Sequence, residues 1–227
     1  MKTMILAAGK GERMRPLTLE TPKPLLQAGG KSLIEHQIRH LARNGFTDLV
    51  INHAWLGCQI ESALGNGDTL GVTIEWSREE EPLETAGGIV KALSLLGDKS
   101  FLCTNADIWT DFPYDELKAV DGDELLAWLV LVDNPVHHPG GDFVLEDNKV
   151  RKPVEGEKAM TFSGIAVYHP ALFAGLSPAS RQPVAPLLTS AIEEGKVGGQ
   201  HYGGHWFDIG TPERLQALDD YLGLIAH

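Results

Sequence analysis

Short apolar runs alternate with segments of helical period along the first half of the chain. Met4 to Ala7 is a short apolar run, and Ser32-Leu33-Ile34-Glu35 has capping-box spacing that opens a helix for Gly45 to end. Leu49 to Ile51 predicts a second strand, Ile60 to Leu64 a second helical face, and Val72 to Trp76 a third strand. Thr85 can cap a helix reaching Leu96, after which Phe101 to Cys103 runs as a strand into Asn105-Ala106-Asp107. This alternation predicts an α/β fold with a Rossmann-like, doubly wound, mixed but mostly parallel sheet. Right-handed crossovers then bring the loop after the first strand and Asp107 to the same carboxyl edge, where such sheets bind ligands.

The pattern changes near residue 110. Leu125 to Val132 reads as a long apolar strand, Phe143 to Lys152 as a hairpin turning at Asp147-Asn148, and Ser163 to Tyr168 as a further strand. Ala185 to Glu194 is helical in period, and Thr211-Pro212-Glu213 starts a last helix through Leu224, with proline at its first position. No repeat or linker divides the chain, so one domain is expected over 1–227, with halves of about 1–110 and 111–227.

A net charge of -12 over 227 residues leaves no extended basic face for a phosphodiester backbone, so nucleic acid is not an expected partner. No apolar run is long enough to span a bilayer, and the N-terminus leads directly into a strand. A cytoplasmic protein without membrane association is expected, as a monomer or weak homo-oligomer. Cys58 and Cys103 are expected to be two buried thiols in a reducing compartment.

Against this acidic background, Ile5 to Leu26 is a concentrated basic element. Gly9 and Gly11 can adopt positive φ and let backbone N–H groups approach phosphate oxygens, while Arg13, Arg15 and Lys23 add charge. An ordinary strand-to-helix turn is the plain alternative for the glycines alone. No Gly-Lys-Ser/Thr follows, and the third glycine of the dinucleotide fingerprint is absent. Asp107 ends one apolar run, and Asp208 ends another in Trp206-Phe207-Asp208-Ile209-Gly210-Thr211-Pro212. Either can be a helix cap, but two such carboxylates can also share one Mg²⁺. The histidines read more simply as packing groups, with His137 and His138 adjacent in sequence and His201 and His205 near a pocket at Trp206.

The glycine loop with Arg13, Thr21-Pro22-Lys23-Pro24-Leu25-Leu26, Leu83-Glu84-Thr85-Ala86-Gly87-Gly88, Asn105-Ala106-Asp107 and the Asp208 segment occur in an order that resembles the sugar-1-phosphate nucleotidyltransferases. These enzymes, also called sugar-nucleotide pyrophosphorylases, have a glycosyltransferase-A-like fold. The resemblance implies that a sugar-1-phosphate attacks the α-phosphorus of a nucleoside triphosphate, with a nucleotide-binding first half and a sugar-binding second half. Arg13 and Lys23 would be catalytic, Ala8, Gly9, Lys10, Gly11, Glu12, Glu79 and Gly88 would complete the nucleotide site, and Asp107 and Asp208 would hold Mg²⁺.

Relatives that use thymidine or uridine carry a base-reading glutamine where Glu79 aligns. A carboxylate there accepts the N3–H of uracil or thymine, although a solvated acidic turn remains the alternative. Asn105, Gly140, Gly141, Arg151, Lys152 and Arg181 would bind the acceptor. Relatives carry Glu-Lys-Pro where Arg151-Lys152-Pro153 aligns, and the extra cation suits an acidic sugar. The compact chain is most similar to the uridylyltransferases of bacterial cell-wall recycling, which implies UTP and N-acetylmuramic acid α-1-phosphate as partners. Transferases of glucose-1-phosphate with dTTP or UTP, or of mannose-1-phosphate with GTP, and a non-catalytic sugar-nucleotide-binding module are the alternatives.

Overall fold

The computed structural model describes residues 1–120, 124–178 and 180–225. Strand β1 (Thr3–Leu6) is buried along Thr3, Met4 and Ile5, as a strand covered on both faces must be. A small ribbon of β2 (Gln27–Ala28) and β3 (Lys31–Ser32) leads into α1 (Leu33–Arg43), where the Glu35 N–H donates to Ser32 Oγ at 3.3 Å. That is half of the expected capping box. The expected alternation follows in β4 (Asp48–His53), α2 (Gly57–Leu64), β5 (Thr73–Arg78), α3 (Glu84–Leu96) and β6 (Phe101–Asn105). Helix α3 begins at Glu84 with Leu83 at its N-cap, so Thr85 lies inside the first turn instead of capping it.

Strand β7 (Ile108–Thr110) leaves the main sheet, and β8 (Ala127–Val132) returns to it. Strands β9 (Val144–Glu146) and β10 (Lys149–Arg151) form the expected hairpin, with Asp147 and Asn148 at φ 49° and 62°. Positive φ at both central residues matches the twist of the flanking strands. The remaining elements are β11 (Thr161–Tyr168), α4 (Ala185–Glu193), β12 (Val197–Tyr202), β13 (Trp206–Asp208) and α5 (Pro212–Ile225). Strand β12 is an addition to the elements read from the sequence. Its glycines hide the strand signal, yet a Cβ on Gly198 would lie 2.5 Å from the Trp128 ring, and one on Gly199 would lie 2.7 Å from the Leu129 carbonyl.

The described residues form a nine-stranded sheet in the order β5-β4-β1-β6-β11-β8-β12-β10-β9. Strands β10 and β11 run against the other seven, so the sheet is mixed and mostly parallel. Because β6 pairs with β11, one sheet runs through both halves of the chain.

Alternating side chains divide the core between the two faces. Met4, Val50 and Cys103 pack with α3 and α4, whereas Ile5, Ile51 and Leu102 pack with α1 and α2. Each fully buried aliphatic side chain contributes about 1.5–3 kcal/mol to this double winding. A third cluster of Met14, Leu26, Ala28, Leu33, Ile209 and Leu218 fixes α5 beneath the glycine loop. Cys103 is buried, which pushes its thiol pKa up, but Cys58 is exposed on α2, contrary to expectation. Among the described residues no helix is long and apolar enough to cross a membrane.

Candidate active site

The site begins where β1 stops. The Ala7 N–H donates to Asn52 Oδ1 at 2.9 Å, tying the loop to the end of β4, and Thr18 Oγ1 donates to the Gly11 carbonyl at 2.7 Å. Gly11 has φ 63°, and a Cβ there would lie 3.0 Å from Thr18 Cγ2 and 3.1 Å from Lys23 Cβ. Glycine is therefore required by backbone conformation and by a close neighbour. Gly9 does not share the positive φ; open space lies above it instead.

Asp107 stands in the two-residue turn between β6 and β7, and Lys23, at 9% exposure, donates to its Oδ2. Strands β7 and β13 form an antiparallel ribbon that pairs Asp208 with Ile108, and the Ile209 N–H donates to the Asp107 carbonyl at 2.8 Å. This ribbon brings two aspartates, remote in sequence, next to each other along the backbone. Trp206 Nε1–H donates to the Ser163 carbonyl at 3.0 Å and anchors the ribbon on β11. Asp208 holds a cation of its own, since Arg214 Nη1 donates to its Oδ2, and His137 Nε2 lies 2.9 Å from its Oδ1.

Two adjoining cavities meet at this place. The first, of about 900 Å³, is walled by the Leu6–Met14 loop, Lys23, Asn52, residues 81–85, Asn105, Asp107, Arg181 and Gly210. The second, of about 560 Å³, lies against His137, His138, Thr161, Ser163, Trp206, Asp208 and Arg214. Leu6, Arg13, Thr85, Asn105 and Asp107 belong to both walls. Asn105 reaches this partition because Gly164, at φ 80° in a bulge of β11, leaves room: a Cβ there would lie 2.5 Å from Asn105 Nδ2.

Clustered cations, a carboxylate pair and two joined cavities suit the meeting of two anionic ligands. The sequence profile of the nucleotidyl transferase family matches residues 2–222. The chain belongs to that family. The N-acetylmuramate alpha-1-phosphate uridylyltransferase of Neisseria meningitidis serogroup B is 48% identical over 98% of this chain and 99% of the relative. A mannose-1-phosphate guanyltransferase of Aspergillus oryzae is 33% identical over 94% of this chain, but this covers 62% of the guanyltransferase. A putative glucose-1-phosphate thymidylyltransferase from Bacillus anthracis, solved with a sucrose, shares the fold with a TM-score of 0.87 at 21% identity, covering 98% of this chain and 95% of that one.

The nucleotidyl transferase chain places its expected residues unevenly. Ala8, Gly9, Lys10, Gly11, Glu12, Arg13 and Lys23 all line the first cavity, with Lys10 paired to Glu81 at 3.1 Å. Glu79 does not line it. At 6% exposure, Glu79 accepts from Asn52 Nδ2 at 2.6 Å and from the Leu83 N–H at 2.9 Å, so Asn52 and the 81–85 turn face the cavity in its place. Gly88 makes room for that pair, because a Cβ would lie 2.7 Å from Asn52 Nδ2 and 2.8 Å from Glu79 Oε1.

In the second half the corrections are larger. Arg151 lies between Glu146 and Glu157 in the β9–β10 hairpin, where its guanidinium and the Val154 N–H hold the Glu157 carboxyl down at about 2. Lys152 lies over the Phe143 ring, and neither residue borders either of these two cavities. Gly140 and Gly141 are also outside both walls; Gly141, at φ 65°, lets the loop pass the Ala159 backbone. Arg181 joins the first cavity through an ion pair with Glu84, not the second. His201 pairs with Asp133 instead of facing a cavity, and His205 packs against Tyr221. Arg214, His137 and His138 line the second cavity, although the sequence reading gave them no ligand role. Arg214 carried a signal in its place six residues after Asp208, in the first turn of the helix that follows, and a Pro-rich turn, not a strand, presents both histidines.

Proposed function

We propose that the protein transfers UMP from UTP to N-acetylmuramic acid α-1-phosphate, giving UDP-N-acetylmuramic acid and pyrophosphate in the cytoplasmic recycling of cell-wall sugar. The observation that carries this reading is 48% identity with a uridylyltransferase of that acceptor over nearly the full length of both chains. Adjoining cavities that share Asp107, Asn105 and Arg13 support a two-substrate reaction.

An oxygen of the acceptor phosphate forms a bond to the α-phosphorus. The bond from that phosphorus to the β-phosphate bridge breaks, and pyrophosphate leaves with the electron pair. Both partners are anions and the attacking oxygen is already ionised, so the protein's task is placement and charge compensation. Gly9, Lys10 and Gly11 cradle the triphosphate, and Arg13 compensates the departing pyrophosphate from its place on the partition. Lys23 supplies a nearly buried ammonium where the two phosphates meet. Glu79 acts on the base as a positioning residue through Asn52 and the Leu83 amide, and Asn105 addresses the sugar.

Asp107 and Asp208 fit a hard divalent ion: both are oxygen donors, Asp208 lies in the β7–β13 ribbon and Asp107 in the turn that enters it, and each already holds a cationic side chain. Mg²⁺ held there supplies Lewis-acid polarisation of phosphoryl oxygens.

Pyrophosphate release from UTP, dTTP and GTP, each paired with the 1-phosphates of N-acetylmuramic acid, N-acetylglucosamine, glucose and mannose, tests the reading. The highest kcat/KM is expected for UTP with the muramate. A higher value for GTP with mannose-1-phosphate, or for any glucose or N-acetylglucosamine pairing, overturns the acceptor assignment; absence of turnover throughout overturns the enzyme.

A further inference from the structure

Arg214 sits in the first turn of α5 with its side chain 20% exposed. Its Nη1 serves Asp208 and lies 2.7 Å from His137 Nε2, while Nε and Nη2 donate to no partner among the described residues. Nη2 faces Gly210: a Cβ built there would lie 2.1 Å from Arg214 Nη2 and 3.3 Å from Arg13 Nη2. Two guanidinium groups thus converge over one glycine where the cavities join. Their mutual repulsion is offset by the Asp208 carboxylate, and a phosphate dianion would offset it better.

We propose that Arg214 serves two partners in turn: it neutralises Asp208 while that carboxylate holds no divalent cation, and it grips the acceptor's phosphate once Asp208 is given over to the metal. This rests on the assignment of Asp107 and Asp208 as metal ligands and of the second cavity as the acceptor site. Two effects of opposite sign result. Arg214 competes with a divalent cation for Asp208, so its removal strengthens cation binding to the substrate-free protein. It also supplies charge-assisted hydrogen bonds to the acceptor, so the same removal weakens acceptor binding. A purely structural arginine would weaken both.

The test uses the full chain, with Mn²⁺ binding followed by electron paramagnetic resonance without nucleotide. Acceptor affinity is measured calorimetrically with Mn²⁺ and a non-reacting α,β-methylene analogue of UTP. The acceptor is whichever sugar-1-phosphate the wild type turns over. For Arg214→Gln, verified as folded by circular dichroism, Mn²⁺ should bind roughly fivefold more tightly, the scale of a partly exposed ion pair. The acceptor should bind about tenfold more weakly or worse, the scale of lost charged hydrogen bonds. Unchanged or weakened Mn²⁺ binding overturns the proposal, and so does unchanged acceptor affinity. Should Arg214→Gln not fold, Arg214→Lys decides: acceptor binding must weaken through loss of the planar fork, and unchanged acceptor binding overturns the assignment. Wild-type protein that binds no Mn²⁺ even with the UTP analogue overturns the metal site itself. Normal metal binding and turnover in wild type, matched by Arg214→Gln, removes Arg214 alone.

Discussion

The two cavities are built on different principles. The first has one long continuous segment in its wall, Leu6 to Met14, whose shape follows from a glycine at φ 63° and from backbone groups pinned by Asn52 and Thr18. The second has no such segment. It collects His137, His138, Thr161, Ser163, Trp206 and Arg214 from the turn after β8, from β11, from the β13 ribbon and from α5. A backbone cradle suits the phosphates common to nucleoside triphosphates, whereas side chains assembled from separate elements allow the acceptor to differ within one fold.

Asp107→Asn and Asp208→Asn test the boundary between the two cavities. Each should lower kcat roughly a thousandfold or more at saturating Mg²⁺, since several kcal/mol of charge stabilisation is lost while the sheet remains intact. Pyrophosphate release and far-ultraviolet circular dichroism report both quantities; turnover within a few-fold of wild type in either variant would show that the cavities do not share a metal there.

Glu79→Ala tests whether the nucleotide cavity depends on a buried support. The change leaves Asn52 Nδ2 and the Leu83 N–H without their acceptor, so stability should fall by about 1–3 kcal/mol. A thermal melt checks this, and UTP affinity should fall with it. Weaker UTP binding at unchanged stability would instead return Glu79 to direct contact with the base.

Arg151→Ala has the smallest expected effect and sharpens the acceptor side. Its two glutamate partners occupy it outside the cavity, so the preference for the muramate over N-acetylglucosamine-1-phosphate should be unchanged. A lost preference would draw the hairpin into the acceptor site. The ion pair should appear in stability against pH. Because the Glu157 pKa is depressed from an ordinary 4.5 to about 2, the stabilisation is full above 4.5 and is lost as pH falls toward 2. The melting-temperature gap between wild type and Arg151→Ala should therefore close across that window.

The same contrast explains how much of the molecule was legible in the sequence. The places of Gly11, Arg13 and Lys23 along the first cavity were readable because they follow from a local glycine turn and from basic residues close to it in sequence. The strand and helix order was readable because burial on both sheet faces leaves apolar runs of strand length. Strand β12 was not, since its glycines make room for Trp128 and the Leu129 backbone and remove the usual periodicity. Arg151 misled because an exposed cation beside an aligned lysine says nothing of Glu146 and Glu157, which fold back onto it. His137 and Arg214 acquire meaning through the ribbon that carries Asp208 between them, a contact no local pattern encodes.

The partition between the cavities, made of Leu6, Arg13, Thr85, Asn105 and Asp107, also constrains how the substrates speak to one another. Side chains that face both occupants give the two binding events a common free-energy term. By thermodynamic reciprocity, whatever factor bound nucleotide applies to the acceptor's affinity, bound acceptor must apply to the nucleotide's. An observed preference for one substrate arriving first therefore reflects each substrate's own affinity, access and rate, because at equilibrium neither site can instruct the other without being instructed to the same degree.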